Sequence, residues 1–125
     1  MLNGKDFINK STKTLSEFKI NDKLNEFDLY KLAQLNEIKI EMRKGWMNLV
    51  IDLVIELDQD GWNRKVSSIK EKYGELRFYA TTLNESILEK YTEKSKTICE
   101  VCGNPGQLLD QKGWYSTRCK DHNDQ

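Results

Sequence analysis

Net charge, long apolar runs, proline and histidine are all scarce in this 125-residue chain. It contains one proline and one histidine, and its 20 basic side chains balance 20 acidic ones, so the formal net charge is zero. This balance argues against a nucleic-acid coat held by overall positive charge, and any such surface has to be local. The length suits one compact domain, or one core with a small appended lobe.

Apolar runs long enough for a signal peptide or a membrane span are also missing. Residues 1–13 carry charges throughout, and the most hydrophobic stretch, residues 46–57, is interrupted by Asp52 and Glu56. We therefore expect a soluble, cytoplasmic protein with no membrane partner.

The few cysteines are clustered with the single histidine. Cys99 and Cys102 form one pair with two intervening residues, and Cys119 and His122 form another. Two such pairs can supply the four ligands of a tetrahedral structural Zn²⁺ site. Gly103 suits a knuckle turn, and residues 110–113 suit a turn between two short strands. The pattern predicts a zinc ribbon. The alternatives are unligated thiols in a reducing cytosol, or a catalytic zinc, which needs an open position that this full set lacks.

A single amphipathic helix dominates the apolar pattern. After Gly45, apolar residues recur at three-and-four spacing until Asp60 and Gly61 end the helix. The residues of this stripe are Trp46, Leu49, Val50, Leu53, Val54 and Leu57. Weaker patterns predict a helix over residues 26–36, capped by Asn25, and another after Asn84 that leads to Cys99.

Residues 62–81 are rich in types that favour β-strands, and Gly74 interrupts them, which predicts a hairpin. With Gly74 and Glu75 as its turn, Tyr73 pairs with Leu76 and Lys72 with Arg77. The predicted apolar face carries Ile69, Tyr73, Leu76, Phe78 and Ala80, and Leu76 and Phe78 should be buried with Trp46, Leu53 and Leu57. The opposite face carries Lys70, Lys72, Arg77 and Tyr79, which we name the basic face. Val66 and Trp62 fall out of this pattern, so we expect a bulge near Ser67 and Ser68, or a second covering layer.

These elements predict an α+β protein. An amphipathic core helix packs on a β-hairpin or small antiparallel sheet, and a zinc ribbon follows at the C-terminus. We expect an N-terminal helical or irregular segment over residues 1–40, the α+β core over 41–98 and the ribbon lobe over 99–125.

The basic face is a candidate ligand site. Residues 62–81 carry five basic and two acidic side chains. Three cations and a phenol on one rigid surface can hold a phosphate or a nucleotide, although such a face is more commonly just solvated. Trp62, Trp114 and Tyr115 can add aromatic surface, but we expect all three in the core.

Catalytic motifs are absent. If His122 and the cysteines bind metal, no histidine remains for a Ser-His, Cys-His or HNH-type mechanism. The sequence also lacks the GxxxxGK[ST] phosphate loop and the GxGxxG turn. We therefore expect that the protein is not an enzyme, and keep a zinc-dependent hydrolase as a remote alternative.

The chain resembles a group of small uncharacterised bacterial and phage proteins. The resemblance lies in Ile69 to Tyr79, in Cys99 to Gly106, in Gly113-Trp114 and in Cys119 to His122. The group carries KEKFGxLRFY, CExCGxPG, GW and CxxH at these places, and the match includes Gly45-Trp46. Tyr73 replaces the usual Phe, and Glu75 the usual Gly. The resemblance implies the same order of hairpin, helix and ribbon and a phage or mobile-element setting, but no biochemical activity.

Two kinds of binding function remain open. In the first, which the sequence slightly favours, the basic face and the ribbon contact a protein or nucleic-acid partner. In the second, the protein captures a small phosphorylated or nucleotide ligand, which in a phage would suggest a counter-defence protein that sequesters an immune signal.

Overall fold

The computed structural model describes residues 15–123, so most of the predicted 1–40 segment is covered but residues 1–14 lie outside. The protein is α+β, as predicted. Its helices are α1 (Glu26–Leu35), α2 (Met47–Gln59) and α3 (Glu85–Ser95). A three-stranded sheet contains β1 (Ile40–Glu41), β2 (Ser68–Lys72) and β3 (Glu75–Tyr79), and a two-stranded sheet contains β4 (Gln107–Gln111) and β5 (Trp114–Arg118). Within residues 15–123, no helix is long and apolar enough to cross a bilayer.

Helix α2 is the centre of the hydrophobic core. A 3₁₀ turn over Lys44–Trp46 precedes it, and all six residues of the predicted apolar stripe are buried. Trp46, Leu53 and Leu57 lie in one cluster with Leu76 and Phe78 of the hairpin, which confirms the predicted core.

Local sequence explains where α1 begins. Asn25 accepts a hydrogen bond from the Asp28 amide, while the Asp28 side chain accepts from the Asn25 amide, so the two form a capping box. Leu29 and Leu32 then face the core. Asn84 is at the N-cap position of α3, but its side chain makes no capping bond to the helix backbone.

The predicted pairing of the hairpin is wrong. Tyr73 and Gly74 form the turn, and both have positive φ angles, of 56° and 79°. Two consecutive positive φ angles define a type I′ turn, which suits the right-handed twist of the flanking strands. Lys72 consequently pairs with Glu75, and Lys70 pairs with Arg77.

The two faces of the hairpin are as predicted despite this correction, because the partners shift by two residues and such a shift keeps each side chain on its face. Ile69, Leu76 and Phe78 are buried on one side. Tyr73 does not join them, since it occupies the turn and is 61% exposed. Upstream, the Ser67 amide and hydroxyl both donate to the Tyr79 carbonyl.

Ser67 and Ser68 therefore both lie opposite Tyr79, because Ser68 is the paired partner of that residue. This is the arrangement of a β-bulge. The chain before the bulge turns inward, and Trp62 and Val66 are buried. Trp62 packs on Phe78 with ring centroids 5.9 Å apart.

Two elements cover the edges of the hairpin: strand β1, which the sequence did not reveal, and the predicted helix α3. β1 pairs with β2 in parallel, so the predicted antiparallel sheet is in fact mixed. On the outer edge of β3, the Leu76 amide donates to the Ser95 hydroxyl, and the Leu76 carbonyl accepts from Thr92. Helix α3 thus satisfies backbone groups that an exposed edge strand would leave open.

Candidate metal centre and basic face

The four predicted metal ligands converge. The ligand atoms of Cys99, Cys102, Cys119 and His122 all lie within 4.8 Å of one another. Cys102 Sγ is 3.7 Å from Cys119 Sγ, and His122 Nδ1 is 3.7 Å from Cys99 Sγ. In a tetrahedral site with Zn–S bonds of about 2.3 Å, two sulfurs lie about 3.8 Å apart. The cluster is therefore compatible with a four-coordinate metal site.

Each ligand pair is on a tight turn. After Cys99, the Gly103 amide donates to the Cys99 carbonyl at 2.9 Å, and Gly103 has a φ of 84° that favours glycine. The second pair spans a 3₁₀ turn, in which the His122 amide donates to the Cys119 carbonyl at 3.1 Å. Both turns direct two side chains toward one point, which explains the spacing of two residues.

Hydrogen bonds from backbone amides lower the pKa of thiols in the cluster. Burial raises the pKa of the Cys99 thiol, but hydrogen bonds from the amides of Cys102, Cys119 and Val101 outweigh it and lower this pKa to about 6. At Cys102, the Asn104 amide lowers the pKa, but desolvation and the neighbouring sulfurs outweigh it and the pKa is raised. These shifts favour the thiolate form of Cys99 and disfavour that of Cys102, because a second negative sulfur would lie close to the first. A bound cation would remove this conflict.

The ribbon hairpin forms as predicted, with a shorter turn. Strands β4 and β5 are joined by Lys112 and Gly113, whose positive φ angles of 59° and 86° again define a type I′ turn. Asp110 Oδ1 accepts from the Gly113 amide at 2.9 Å.

The ribbon is docked onto the core. The Gly45 amide donates to the Glu100 carbonyl at 2.9 Å, and the Thr117 hydroxyl donates to the Gly74 carbonyl at 2.6 Å. A Cβ at Gly45 would overlap the backbone of Cys99 and Glu100. The start of α2 and the hairpin turn are thus two contact points for the ribbon lobe.

The four residues of the basic face lie on one side of the hairpin. Lys70 is directly opposite Arg77, and the Tyr79 hydroxyl is 3.4 Å from Arg77 Nη1. Lys70 Nζ lies 5.8 Å from the centroid of the Tyr79 ring. Glu75, which was predicted in the turn, lies in β3, shares this face and places Oε2 2.9 Å from Arg77 Nε. Arg77 is therefore partly neutralised, and the lysines are the freer cations.

Three aromatic side chains extend this face toward the ribbon. Trp114 is 75% exposed and Tyr115 is 39% exposed, so the prediction that both lie in the core is wrong, whereas Trp62 is buried as predicted. Tyr73 packs edge-on against Tyr115 with centroids 6.5 Å apart, and Lys72 Nζ is 5.4 Å from the Tyr73 ring. Cations and aromatic rings thus continue from the hairpin to the ribbon.

A cleft between the hairpin turn and the ribbon was not foreseen. It measures about 490 Å³, and its walls include Lys72, Tyr73, Trp114, Glu100 and Arg118. Glu100 and Arg118 are buried. The only signal in the sequence was their position, since each is directly next to a cysteine of the metal cluster.

Comparison of the chain with protein-family models, with curated proteins and with solved structures found no match. Function is therefore inferred from the Cys₃His cluster and from the surfaces beside it. These surfaces are contiguous, because Lys72 and Tyr73 belong both to the hairpin and to the wall of the cleft.

Proposed function

We propose that this protein binds single-stranded nucleic acid through the basic face and its aromatic extension, and that a structural zinc ion in the Cys₃His cluster holds the ribbon in place. The observation that carries the proposal is the continuity of cations and exposed rings from Tyr79 through Lys72 and Tyr73 to Tyr115. Proteins that bind single strands combine a basic track for the phosphates with aromatic rings on which bases stack.

Zinc is the metal that suits this donor set. Three thiolates and one imidazole are soft or borderline ligands, and zinc takes them in tetrahedral geometry. Four protein ligands complete that geometry, so water has no place at the metal. The ion then acts by stabilising the fold, which supports a structural rather than a catalytic role.

Binding without catalysis is part of the proposal. The chain has one histidine and three cysteines, and all four are assigned to the metal cluster. Two carboxylates of α2 are engaged in ion pairs, since Glu56 pairs with Lys90 and Asp58 with Arg64.

The number of cations on the basic face determines how strongly nucleic-acid binding should depend on salt. Glu75 offsets part of the positive charge of Arg77, so Lys70, Lys72 and the remainder of Arg77 can neutralise about three phosphates. For single strands, the logarithm of the binding constant falls with the logarithm of salt concentration by about 0.7 per phosphate contact. We therefore expect a slope of about −2, small enough to agree with the zero net charge of the chain.

Fluorescence anisotropy with a labelled nine-residue oligo(dT) tests the proposal. The double variant Lys70→Ala/Lys72→Ala should bind more weakly, and its salt slope should fall to about −0.7. Lys31→Ala/Lys39→Ala is the matched control, because both lysines are exposed and lie outside the basic face. Equal slopes for the two double variants would contradict the proposal, as would the absence of oligonucleotide binding by the zinc-loaded parent.

A further inference from the structure

The cleft between the hairpin turn and the ribbon has the size of a small-ligand site. Its volume of about 490 Å³ lies within the range of roughly 300 to 1,000 Å³ of such sites. Two features distinguish it from an ordinary surface groove. Its rim is aromatic, with Tyr73, Trp114 and Tyr115, and its wall contains buried groups of both charges.

Glu100 is held in place with one carboxylate oxygen only partly used. Its side chain is 7% exposed, and Oε2 accepts from the Thr117 amide at 3.1 Å. Oε1 lies 3.7 Å from Arg118 Nη2, which is too far for a direct hydrogen bond. The two side chains are neighbours, but neither satisfies the other.

Arg118 has an unused donor. Its side chain is 7% exposed, and Nη1 donates to the His122 carbonyl at 3.3 Å. Nε is buried and has no hydrogen-bond partner within the described part of the chain, residues 15–123. Buried donors are normally paired, so Arg118, a residue of the cleft wall, retains donor capacity that no group within residues 15–123 uses. Arg118 also borders a second depression, beside Gln107 and Lys120.

We infer that this cleft holds one base of the bound strand and that guanine is the preferred base. The inference rests on the proposed function and names the base that it selects. Guanine presents two adjacent donors, N1–H and the N2 amino group, to a carboxylate such as that of Glu100. Its O6 and N7 acceptors are the groups that arginine recognises, and Trp114 or Tyr115 can stack on its face.

Other bases can donate fewer hydrogen bonds to Glu100 than guanine can. Thymine has two carbonyl acceptors and a single N–H, so it offers one donor to Glu100. Adenine and cytosine offer an amino group but no second donor beside it on the same edge. Arg43 and Glu71, which also line the cleft, place further charges around the base.

Single-base substitution in an oligonucleotide tests the inference with the unaltered protein. The zinc-loaded chain is titrated with dT9 and with nine-residue strands whose central base is guanine, adenine, cytosine or hypoxanthine. We expect the guanine strand to bind about tenfold more tightly than dT9, the discrimination of one bidentate base contact. Hypoxanthine lacks the N2 amino group and should lose most of this advantage. Equal binding of all five strands overturns the inference.

Glu100→Gln keeps the size of the side chain but replaces one acceptor oxygen by a donor amide. It should remove the guanine preference, so that the guanine strand and dT9 bind the variant with equal affinity. Glu93→Gln is the matched control, because Glu93 is exposed on α3. Measured zinc content and circular dichroism establish that the Glu100 variant is folded. If it is not, the hypoxanthine strand still decides the question with the parent protein.

Failure of the inference and failure of the proposed function have different signatures. Binding of dT9 without a preference for guanine refutes the guanine pocket alone. Binding of guanosine monophosphate without binding of dT9 supports the pocket and refutes the single-strand function. Absence of binding to every strand and to the nucleotide refutes both.

Discussion

The indole Nε1 of Trp46 donates a hydrogen bond to the carbonyl of Ile98 at 2.8 Å. Trp46 is the N-cap residue of the core helix, and Ile98 directly precedes Cys99, the first residue of the Cys₃His cluster. Together with the bond from the Gly45 amide to the Glu100 carbonyl, this contact ties both sides of Cys99 to the core. The start of α2 is thus attached to the backbone on both sides of Cys99.

Replacing one ligand should release the metal and unfold the ribbon. We expect one zinc per chain in the parent and none in Cys102→Ser, measured by mass spectrometry under native conditions. Metal binding contributes on the order of 10 kcal/mol or more in zinc-finger peptides, and a closed four-ligand site loses most of that with one ligand. Hydrogen exchange should become fast over residues 99–122 and stay slow at the centre of α2.

Lys120→Ala is the matched control for that experiment. Lys120 lies between two ligand residues, is exposed and supplies no ligand atom. Zinc retained by the Cys102→Ser protein at the level of the Lys120→Ala protein would show that the cluster is not the metal site.

Gly45→Ala should weaken the attachment of the ribbon to the core. The added Cβ would overlap the backbone of Cys99 and Glu100, and neither backbone segment can move without disturbing a metal ligand. We expect a loss of roughly 1 to 3 kcal/mol in the free energy of unfolding, the range for overpacked sites, measured by urea denaturation. Lys44→Ala, one residue earlier and exposed, should change it little. A Gly45→Ala protein as stable as the control would mean that the two lobes do not pack as described.

Phe78→Ala tests the corrected faces of the hairpin. Phe78 is 5% exposed and packs on Trp62, so its truncation should cost roughly 3 to 5 kcal/mol of unfolding free energy. Tyr79→Ala, on the opposite face and 42% exposed, should cost much less. Thermal denaturation of the two variants measures the difference. A larger loss for Tyr79→Ala would require the two faces to be exchanged.

The ion pair between Glu56 and Lys90 should make the stability of the fold depend on pH. The hydrogen bond from Lys90, followed by that from Tyr91, lowers the pKa of Glu56 below its ordinary value of 4.5. A lowered carboxyl pKa stabilises the folded state above the unfolded pKa, and this contribution is lost as the pH falls through the folded value. Glu56→Gln should therefore be less stable than the parent at pH 7, by roughly 0.2 to 1 kcal/mol for a partly exposed ion pair.

The stability gap between Glu56→Gln and the parent should stay constant above about pH 5 and narrow below about 4.5. Urea denaturation at a series of pH values measures it. A gap that widens on acidification would show that the ion pair does not stabilise the fold.

The sequence by itself determined the elements whose cause is local. Three-and-four spacing is a property of one helix, so α2 and its buried stripe follow from the residues alone. The ligand pairs follow because two residues between ligands suffice to build a tight turn. The pairing error was a shift of two residues, which keeps side chains on the same face, so the four residues of the basic face share one side although the predicted partners of Lys72 and Lys70 were wrong.

Tertiary structure decided what depends on contacts between distant segments. The type I′ turn placed Tyr73 outside the core, because a two-residue turn leaves its side chains to solvent. Trp114 is exposed because the hairpin turn packs on the ribbon at Gly74 and leaves the first residue of β5 uncovered. Glu100 and Arg118 come together within the ribbon, where the Glu100 amide donates to the Thr117 carbonyl, but the cleft beside them forms only where the hairpin turn meets the ribbon. No spacing along the chain encodes that meeting, because it depends on the close approach of two backbones far apart in sequence.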